Sequence, residues 1–271
     1  MTGDESPYLY DQGWEGERSR LSSLAALFDP LTLRHLDAVG VQPGWRCWEI
    51  GAGTGSIARR LAAASGPTGR VVATDLDVRF LDHLDGVDGV DVVQHDVAAG
   101  PVQSEAFDLV HARAVLEHVP HRDDVVPKLV DALRPGGVLL LEDVVFGDAT
   151  TDALAAVTRP REYAWTMTLA ARAVAGAFRT VGADPEYGLQ LPDLLTSAGL
   201  RGVGAELAHR LVRGGSEEAV FFALTMRELG GRLVTAGLLT QEDADVAADV
   251  AENAESSWFS MGLLSAWGWR P

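Results

Sequence analysis

Trp48-Glu49-Ile50-Gly51-Ala52-Gly53-Thr54-Gly55-Ser56 joins a short apolar strand over 46–50 to a helix over 56–64. Gly51, Gly53 and Gly55 fall at alternate positions. Glycine there takes positive φ in a tight turn, and lets the backbone approach a ligand with no Cβ in between. A turn of this kind after the first strand is where an open α/β sheet grips a nucleotide-like ligand. Asp75 closes the next strand, 24 residues after Gly51. An acidic side chain in that place can accept hydrogen bonds from ribose hydroxyls.

Outward from this stretch, strands alternate with helices. Strands are expected over 46–50, 70–74, 90–95, 107–111 and 138–143, and helices over 56–64, 79–84 and 123–133. Short apolar strands separated by helices predict a parallel sheet covered on both faces. Before the first strand, Leu21, Leu24, Ala25, Leu27 and Phe28, then Leu33, Leu36 and Val39, recur at helical spacing. After Asp143 the period changes. Residues 150–182 are Ala-rich and helical, and 192–198 form a short helix. A late strand is expected over 201–211, helices over 217–236 and 241–254, and a final strand over 258–267. Thr240-Gln241-Glu242-Asp243 opens the last helix as an N-cap with acidic first-turn residues. The prediction is a Rossmann-like α/β fold: a seven-stranded, mostly parallel sheet with helices on both faces, plus helical lid or cap additions. Residues 1–40 form the N-terminal helical lid, and 41–271 the sheet domain with helical insertions near 147–198 and 216–255.

Composition bounds the partners. The 271 residues carry a formal net charge of −17. A field of that sign repels phosphate backbones and anionic bilayers, so neither nucleic acid nor membrane is an expected partner. The longest apolar runs are too short to cross a bilayer. The acidic first residues lack a signal-peptide core, so a cytoplasmic location is expected. The single cysteine, Cys47, forms no intrachain disulfide or cysteine metal cluster, and no metal is expected. On a buried strand it is expected to pack inertly.

A glycine turn alone leaves the ligand open. The dinucleotide fingerprint G-x-G-x-x-G/A fails from Gly51, where the sixth residue is Ser56, but fits from Gly53, where it is Ala58. An NAD-dependent oxidoreductase therefore stays in play on pattern.

Further landmarks favour another reading. Trp48–Ser56 resembles motif I of the class I S-adenosylmethionine-dependent methyltransferases. The resemblance continues through Ala73-Thr74-Asp75-Leu76-Asp77, Gln94-His95-Asp96-Val97, Phe107-Asp108-Leu109-Val110-His111-Ala112-Arg113 and Leu133-Arg134-Pro135-Gly136-Gly137-Val138. It spans roughly residues 40–145 and is nearest to the menaquinone/ubiquinone-type and natural-product branch. The resemblance implies an enzyme that moves a methyl group from S-adenosylmethionine to the O, N, S or C atom of a small-molecule acceptor, leaving S-adenosylhomocysteine. It also implies roles. Gly51, Ala52, Gly53 and Gly55 line the methionine end of the cofactor, and Glu49 helps hold its amino group. Asp75 accepts the ribose hydroxyls and Leu76 packs on the adenine. Asp96 accepts from the adenine amine beside the Val97 amide. His111, Ala112 and Arg113 pass the methionine moiety with main-chain groups. Asp77 and Asp108 are read as turn or capping residues, and Arg113 can also neutralise a carboxylate of the protein. A protein of this fold that binds the cofactor without methyl transfer is a third reading, because folds host many chemistries.

An electrophilic methyl mainly needs alignment, and a base matters only if the acceptor must lose a proton. His118 is the first candidate base, since histidine titrates near neutral pH; His111 is second and His121 third. Tyr8, Tyr10, Trp14 and Arg18 form a polar-aromatic N-terminal strip. Tyr163, Trp165, Met167 and Phe178 supply apolar surface after the fifth strand. Acceptor contacts are expected from Tyr10, Trp14, Arg18 and Trp165, since small-molecule pockets are apolar with a few polar groups. A monomer or homodimer is expected.

Overall fold

The computed structural model describes residues 9–11 and 13–271, so Tyr8 lies outside the described residues. In chain order the elements are α1 (Glu17–Val39), β1 (Arg46–Ile50), α2 (Ser56–Ser65), β2 (Arg70–Asp75), β3 (Val90–Gln94), β4 (Phe107–Arg113), α3 (Val125–Ala132) and β5 (Leu133–Val145). Then come α4 (Asp148–Ala155), α5 (Ala164–Thr180), α6 (Leu191–Ser197), β6 (Arg201–Ala208), β7 (Leu211–Arg213), α7 (Glu217–Thr235), α8 (Gln241–Glu252), β8 (Ser257–Phe259) and β9 (Gly262–Trp269). The chain forms two compact units. A sheet unit comprises Phe28–Asp143, Tyr187–Ala208 and Leu263–Pro271; a helical unit comprises Met1–Leu27, Val144–Glu186 and His209–Gly262.

The sheet unit holds seven strands in the order β3-β2-β1-β4-β5-β9-β6. β1 lies parallel between β2 and β4, with Glu49 opposite Ala73 on one side and His111 on the other. β3 adds parallel to β2, and β5 parallel to β4, while β6 runs antiparallel to β9. The seven-stranded, mostly parallel Rossmann-like sheet is as expected. Strand order reverses between β1 and β4, and in such sheets ligands bind outside the carboxyl ends at that reversal. The glycine turn leaves β1 there.

Helices on both faces make the inner strands almost continuously apolar. Leu109 and Val110 of β4, and Leu139, Leu140 and Leu141 of β5, are all buried. Cys47 packs with Ile57, Leu61, Leu81 and Leu84. Burial pushes its thiol up to about 11, which suits inert packing.

Five local expectations are corrected. The segment over 79–84 is a 3-10 helix, Val78–Leu84, capped by Asp77, whose side chain accepts from the Arg79 amide. The fifth strand begins at Leu133, not 138. Arg270 bridges the Gly-Gly step, its carbonyl accepting from Gly136 N and its amide donating to Gly137 O, so the turn is drawn into the sheet. The late strand over 201–211 ends at Ala208, and the final strand over 258–267 is two strands. β8 pairs with β7, and β9 pairs with β6, the switch being pinned where Ser260 N donates to Arg210 O. The helical run over 150–182 breaks between Ala155 and Ala164, a gap holding Pro160, which cannot continue a helix.

In the helical unit, α7 and α8 are capped by Ser216 and Thr240, which accept from the amides of Ala219 and Asp243. Arg20 is buried, donates to both carboxylate oxygens of Glu17 at 2.7 Å, and lies 3.7 Å over the Tyr10 ring. The unit boundary falls at Phe28 rather than residue 40, because Thr32 and His35 bond to Glu142 of β5. Likewise Tyr187–Ala208, expected partly as insertion, belongs to the sheet unit. No helix among the described residues is long and apolar enough to cross a membrane.

Candidate active site

Gly51, Gly53 and Gly55 take φ of 64°, 54° and 73°, the left-handed region that L side chains avoid. Two of the three are also closed by packing. A Cβ on Gly51 would lie 2.2 Å from Val115 Cγ2, and one on Gly55 would lie 2.7 Å from Leu84 Cδ1. Gly53 differs. Its nearest neighbour would be the Gly51 carbonyl at 3.9 Å, so space stays open beside it.

Asp75 ties the end of β2 to this turn. Its Oδ2 accepts from Gly53 N at 2.8 Å and its Oδ1 from Asp77 N at 3.1 Å. Burial raises its pKa, against the pull of the Gly53, Asp77 and Leu76 amides. An ionised carboxylate offers about four acceptor sites, so capacity remains for hydroxyl donors. Leu76 follows at 50% exposure, an apolar side chain left in solvent beside a half-buried acid. Gln94 Nε2 holds the Leu76 carbonyl at 2.8 Å. Asp96 is exposed, and its Oδ1 caps its own turn by accepting from Ala98 N, while Val97 is buried.

The face of the sheet under α1 carries a buried polar chain. His111 Nδ1 lies 2.6 Å from Glu49 Oε2, and its Nε2 lies 3.2 Å from Glu142 Oε2. Glu142 also accepts from Thr32, Ser265 and the His35 ring. Burial opposes ionisation of Glu142 most strongly, yet the bonds from His111 and His35 outweigh it and hold the carboxyl well below its usual range. Arg113 Nη2 donates to Asp29 at 2.8 Å, and its Nη1 to Thr32.

His118 ends a 3-10 turn after β4, with Nε2 3.2 Å from Glu117 Oε1. Nearby in the chain's fold, Asp143 is fully buried and accepts from Val115 N. Burial first, and the Glu117 carboxylate second, push Asp143 well above the ordinary carboxyl range.

Residues 48–139 match the methyltransferase domain family. The ubiquinone/menaquinone biosynthesis C-methyltransferase UbiE of Ectopseudomonas mendocina is 37% identical over 113 residues, 39% of this chain and 44% of the relative. Over residues 48–139 the chain is therefore similar to a methyltransferase domain. The chain thus spans less than half the length of the curated relatives it matches. Among solved structures, phosphoethanolamine N-methyltransferase 2 of Haemonchus contortus, in complex with phosphomonomethylethanolamine and S-adenosylhomocysteine, aligns with TM-score 0.57 and 14% identity. It covers 94% of this chain and 57% of its own. The YcgJ protein of Bacillus subtilis aligns with TM-score 0.57 and 16% identity, covering 89% and 98%. These two likenesses carry the fold.

Within residues 48–139, Gly51, Ala52, Gly53, Gly55, Asp75 and Leu76 stand together at the carboxyl edge of β1 and β2. Three of the other expected residues have side-chain partners, which leave the main-chain roles of His111 and Arg113 untouched. Glu49 is engaged by His111; the His111 side chain is enclosed by two carboxylates; and the Arg113 side chain is spent on Asp29. Ala112 is buried in β4. Asp77 caps a helix, whereas Asp108, expected in a turn or cap, lies in β4, where it accepts from Arg46 N and pairs with Arg134. In the helical unit, Tyr10 is buried beneath Arg20 and beside Phe178, Trp14 packs over Gly16, and Arg18 is exposed on α1. Met167 and Phe178 are buried, whereas Trp165 is 65% exposed. Sequence reasoning missed Glu142, His35, Thr32 and Ser265. The available signal was Glu142 itself, a charge closing the apolar run Val138–Leu141, since a buried charge needs a partner.

Proposed function

We propose that this protein is an S-adenosylmethionine-dependent methyltransferase acting on a small-molecule acceptor. The observation that carries the reading is the Gly53 amide donating to Asp75 within the methyltransferase domain, which locks the glycine turn to the acid closing β2. The residues fit an adenosyl cofactor: Gly53 has open space where a Cβ would stand, and Leu76 presents apolar surface to solvent beside Asp75. Asp75 binds the ribose hydroxyls, Leu76 packs on the adenine, and Asp96 with the Val97 amide binds the adenine edge. Glu49 takes the ammonium, and the Gly51–Gly55 backbone lines the methionine end with the main chain of His111, Ala112 and Arg113. When bound, S-adenosylmethionine supplies an electrophilic methyl. The protein's work is then alignment and exclusion of water, and alignment alone contributes on the order of 7–11 kcal/mol. His118 takes the acceptor proton where the acceptor must lose one. Trp165 is the acceptor-side residue the reading keeps, on account of its exposure.

The net charge supports a metabolite over a polyanion. The five landmarks support a role in cofactor or natural-product metabolism; a cytoplasmic location and a monomer or homodimer are proposed with it.

The test measures binding and transfer together. Calorimetry with S-adenosylhomocysteine is expected to give a micromolar Kd, with no binding of NAD. Labelled S-adenosylmethionine is expected to pass its methyl to a small molecule in a metabolite extract. Cofactor binding with no labelled product in any extract would reject methyl transfer and keep only the cofactor. For His118→Ala, S-adenosylhomocysteine affinity is expected within twofold of the unaltered protein, with turnover reduced at least tenfold. Equal turnover across pH 6–9 would remove His118 as a base.

A further inference from the structure

His111 is fully buried, and each ring nitrogen meets a carboxylate: Glu49 Oε2 at 2.6 Å and Glu142 Oε2 at 3.2 Å. Ionised carboxylates only accept hydrogen bonds, and a neutral imidazole donates from only one nitrogen. Both contacts are satisfied together only by the imidazolium. The surroundings bear this charge state. From α1 come Asp29, Thr32, Arg34 and His35; from β1, Glu49; from β4, Arg113; from β5, Glu142; from β6, Glu206; and from β9, Ser265. Arg113 pairs with Asp29, and its charge also favours the ionised form of Glu142. The chain continues outward. His35 bonds Glu142 at Nδ1 (3.1 Å) and Glu206 at Nε2 (2.8 Å), and Glu206, 38% exposed, pairs with Arg34. Charges therefore alternate from Glu49 to the surface. Burial is the largest influence on His111 and lowers its pKa, but Glu49 and Glu142 together outweigh it and raise the imidazole to about 9.

Glu49 is the penultimate residue of β1, two positions before Gly51. Its Oε2 is held by His111, and its Oε1 takes no hydrogen bond among the described residues. We propose that His111 is a positioning residue for cofactor recognition: its imidazolium fixes Glu49 by Oε2 and leaves Oε1 to accept the α-ammonium of the cofactor. This rests on the reading of Glu49 as the ammonium partner. The imidazolium offsets the carboxylate's charge without competing for Oε1. No bond is made or broken, and the His111 side chain touches neither cofactor nor acceptor.

The test uses two probes that differ at the amino-acid end. S-adenosylhomocysteine has the α-ammonium; 5′-methylthioadenosine lacks it and keeps the adenosine and sulfur. Calorimetry on the full chain is expected to show His111→Gln weakening S-adenosylhomocysteine binding at least tenfold and 5′-methylthioadenosine binding less than twofold. Glu49→Gln is expected to show the same selectivity. A merely structural role moves both probes together or neither, and either result overturns the proposal. Should His111→Gln not fold, nitrogen NMR of the unaltered protein decides: both His111 ring nitrogens are expected protonated at pH 7.5, and a neutral tautomer overturns it. If the unaltered protein binds neither probe, the cofactor reading falls and this assignment with it. If it binds S-adenosylhomocysteine and His111→Gln binds it equally well, only the assignment falls.

Discussion

Glu142→Ala is expected to lower the unfolding free energy by roughly 3–5 kcal/mol, the cost of removing one partner from a buried charge pair. Glu142 is enclosed, and it receives bonds from His111, His35, Thr32 and Ser265. Removing it leaves one ring nitrogen of each histidine and two hydroxyls without their buried acceptor. At about 2–4 °C per kcal/mol for a chain of this size, Tm is expected to fall by about 10 °C. The pH dependence has a definite sign. His111 is raised from 6.5 to about 9, so its contribution is whole below pH 6.5 and is lost as pH rises through 9. That contribution is on the order of 3 kcal/mol. His35, whose pKa is also raised with Glu142 and Glu206 outweighing burial, adds in the same direction. Glu142 is lowered, so its contribution is whole above pH 4.5 and is lost only in strong acid. Stability of the unaltered protein is therefore expected to be highest near pH 5–6 and to decline toward pH 9. In Glu142→Ala that alkaline decline shrinks, because His111 keeps Glu49 alone. Denaturant melts at pH 5.5, 7.5 and 9 check both points, and a loss below 1 kcal/mol at pH 5.5 would show that the chain is not held as described.

The contrast between Asp75 and Glu142 explains what was readable in the sequence. Asp75 and the three glycines act through local backbone: positive φ, a close approach and a strand end all leave marks in residue type and spacing. Asp77 at its helix and Thr240 at α8 were legible for the same reason, since a cap bonds two or three residues away. Glu142 acts through partners more than 100 residues away on α1 and on β9. Only the register of β4 against β5, and the placement of α1 over them, brings those groups together. The broken final strand failed similarly: one apolar run does not say that Trp258 faces β7 while Leu264 faces β6. Tyr10 looked like a ligand aromatic because its partner Arg20, ten residues on, gave no signal that its guanidinium would be buried over the ring.

Asp75→Ala is expected to weaken S-adenosylhomocysteine binding at least tenfold, and up to about a hundredfold. Hydrogen bonds to a charged acceptor contribute about 1.5–3 kcal/mol each, and the proposed ribose contacts would be of that kind. The substitution also removes the acceptor for Gly53 N, so part of the loss could come from a loosened turn rather than from missing ribose bonds. Two comparisons separate these causes. Asp75→Asn keeps one acceptor oxygen but offers an amide to the other contact, so it is expected to recover at most part of the affinity. An S-adenosylhomocysteine analogue lacking the ribose hydroxyls completes a thermodynamic cycle, in which the coupling between residue and hydroxyls is read as the non-additive part. If Asp75 holds the ribose, the analogue binds the unaltered protein weakly, and Asp75→Ala costs it little more. If Asp75 only braces the glycine turn, the substitution weakens both ligands by the same factor, and the hydroxyls must find their acceptor elsewhere on the β2 edge.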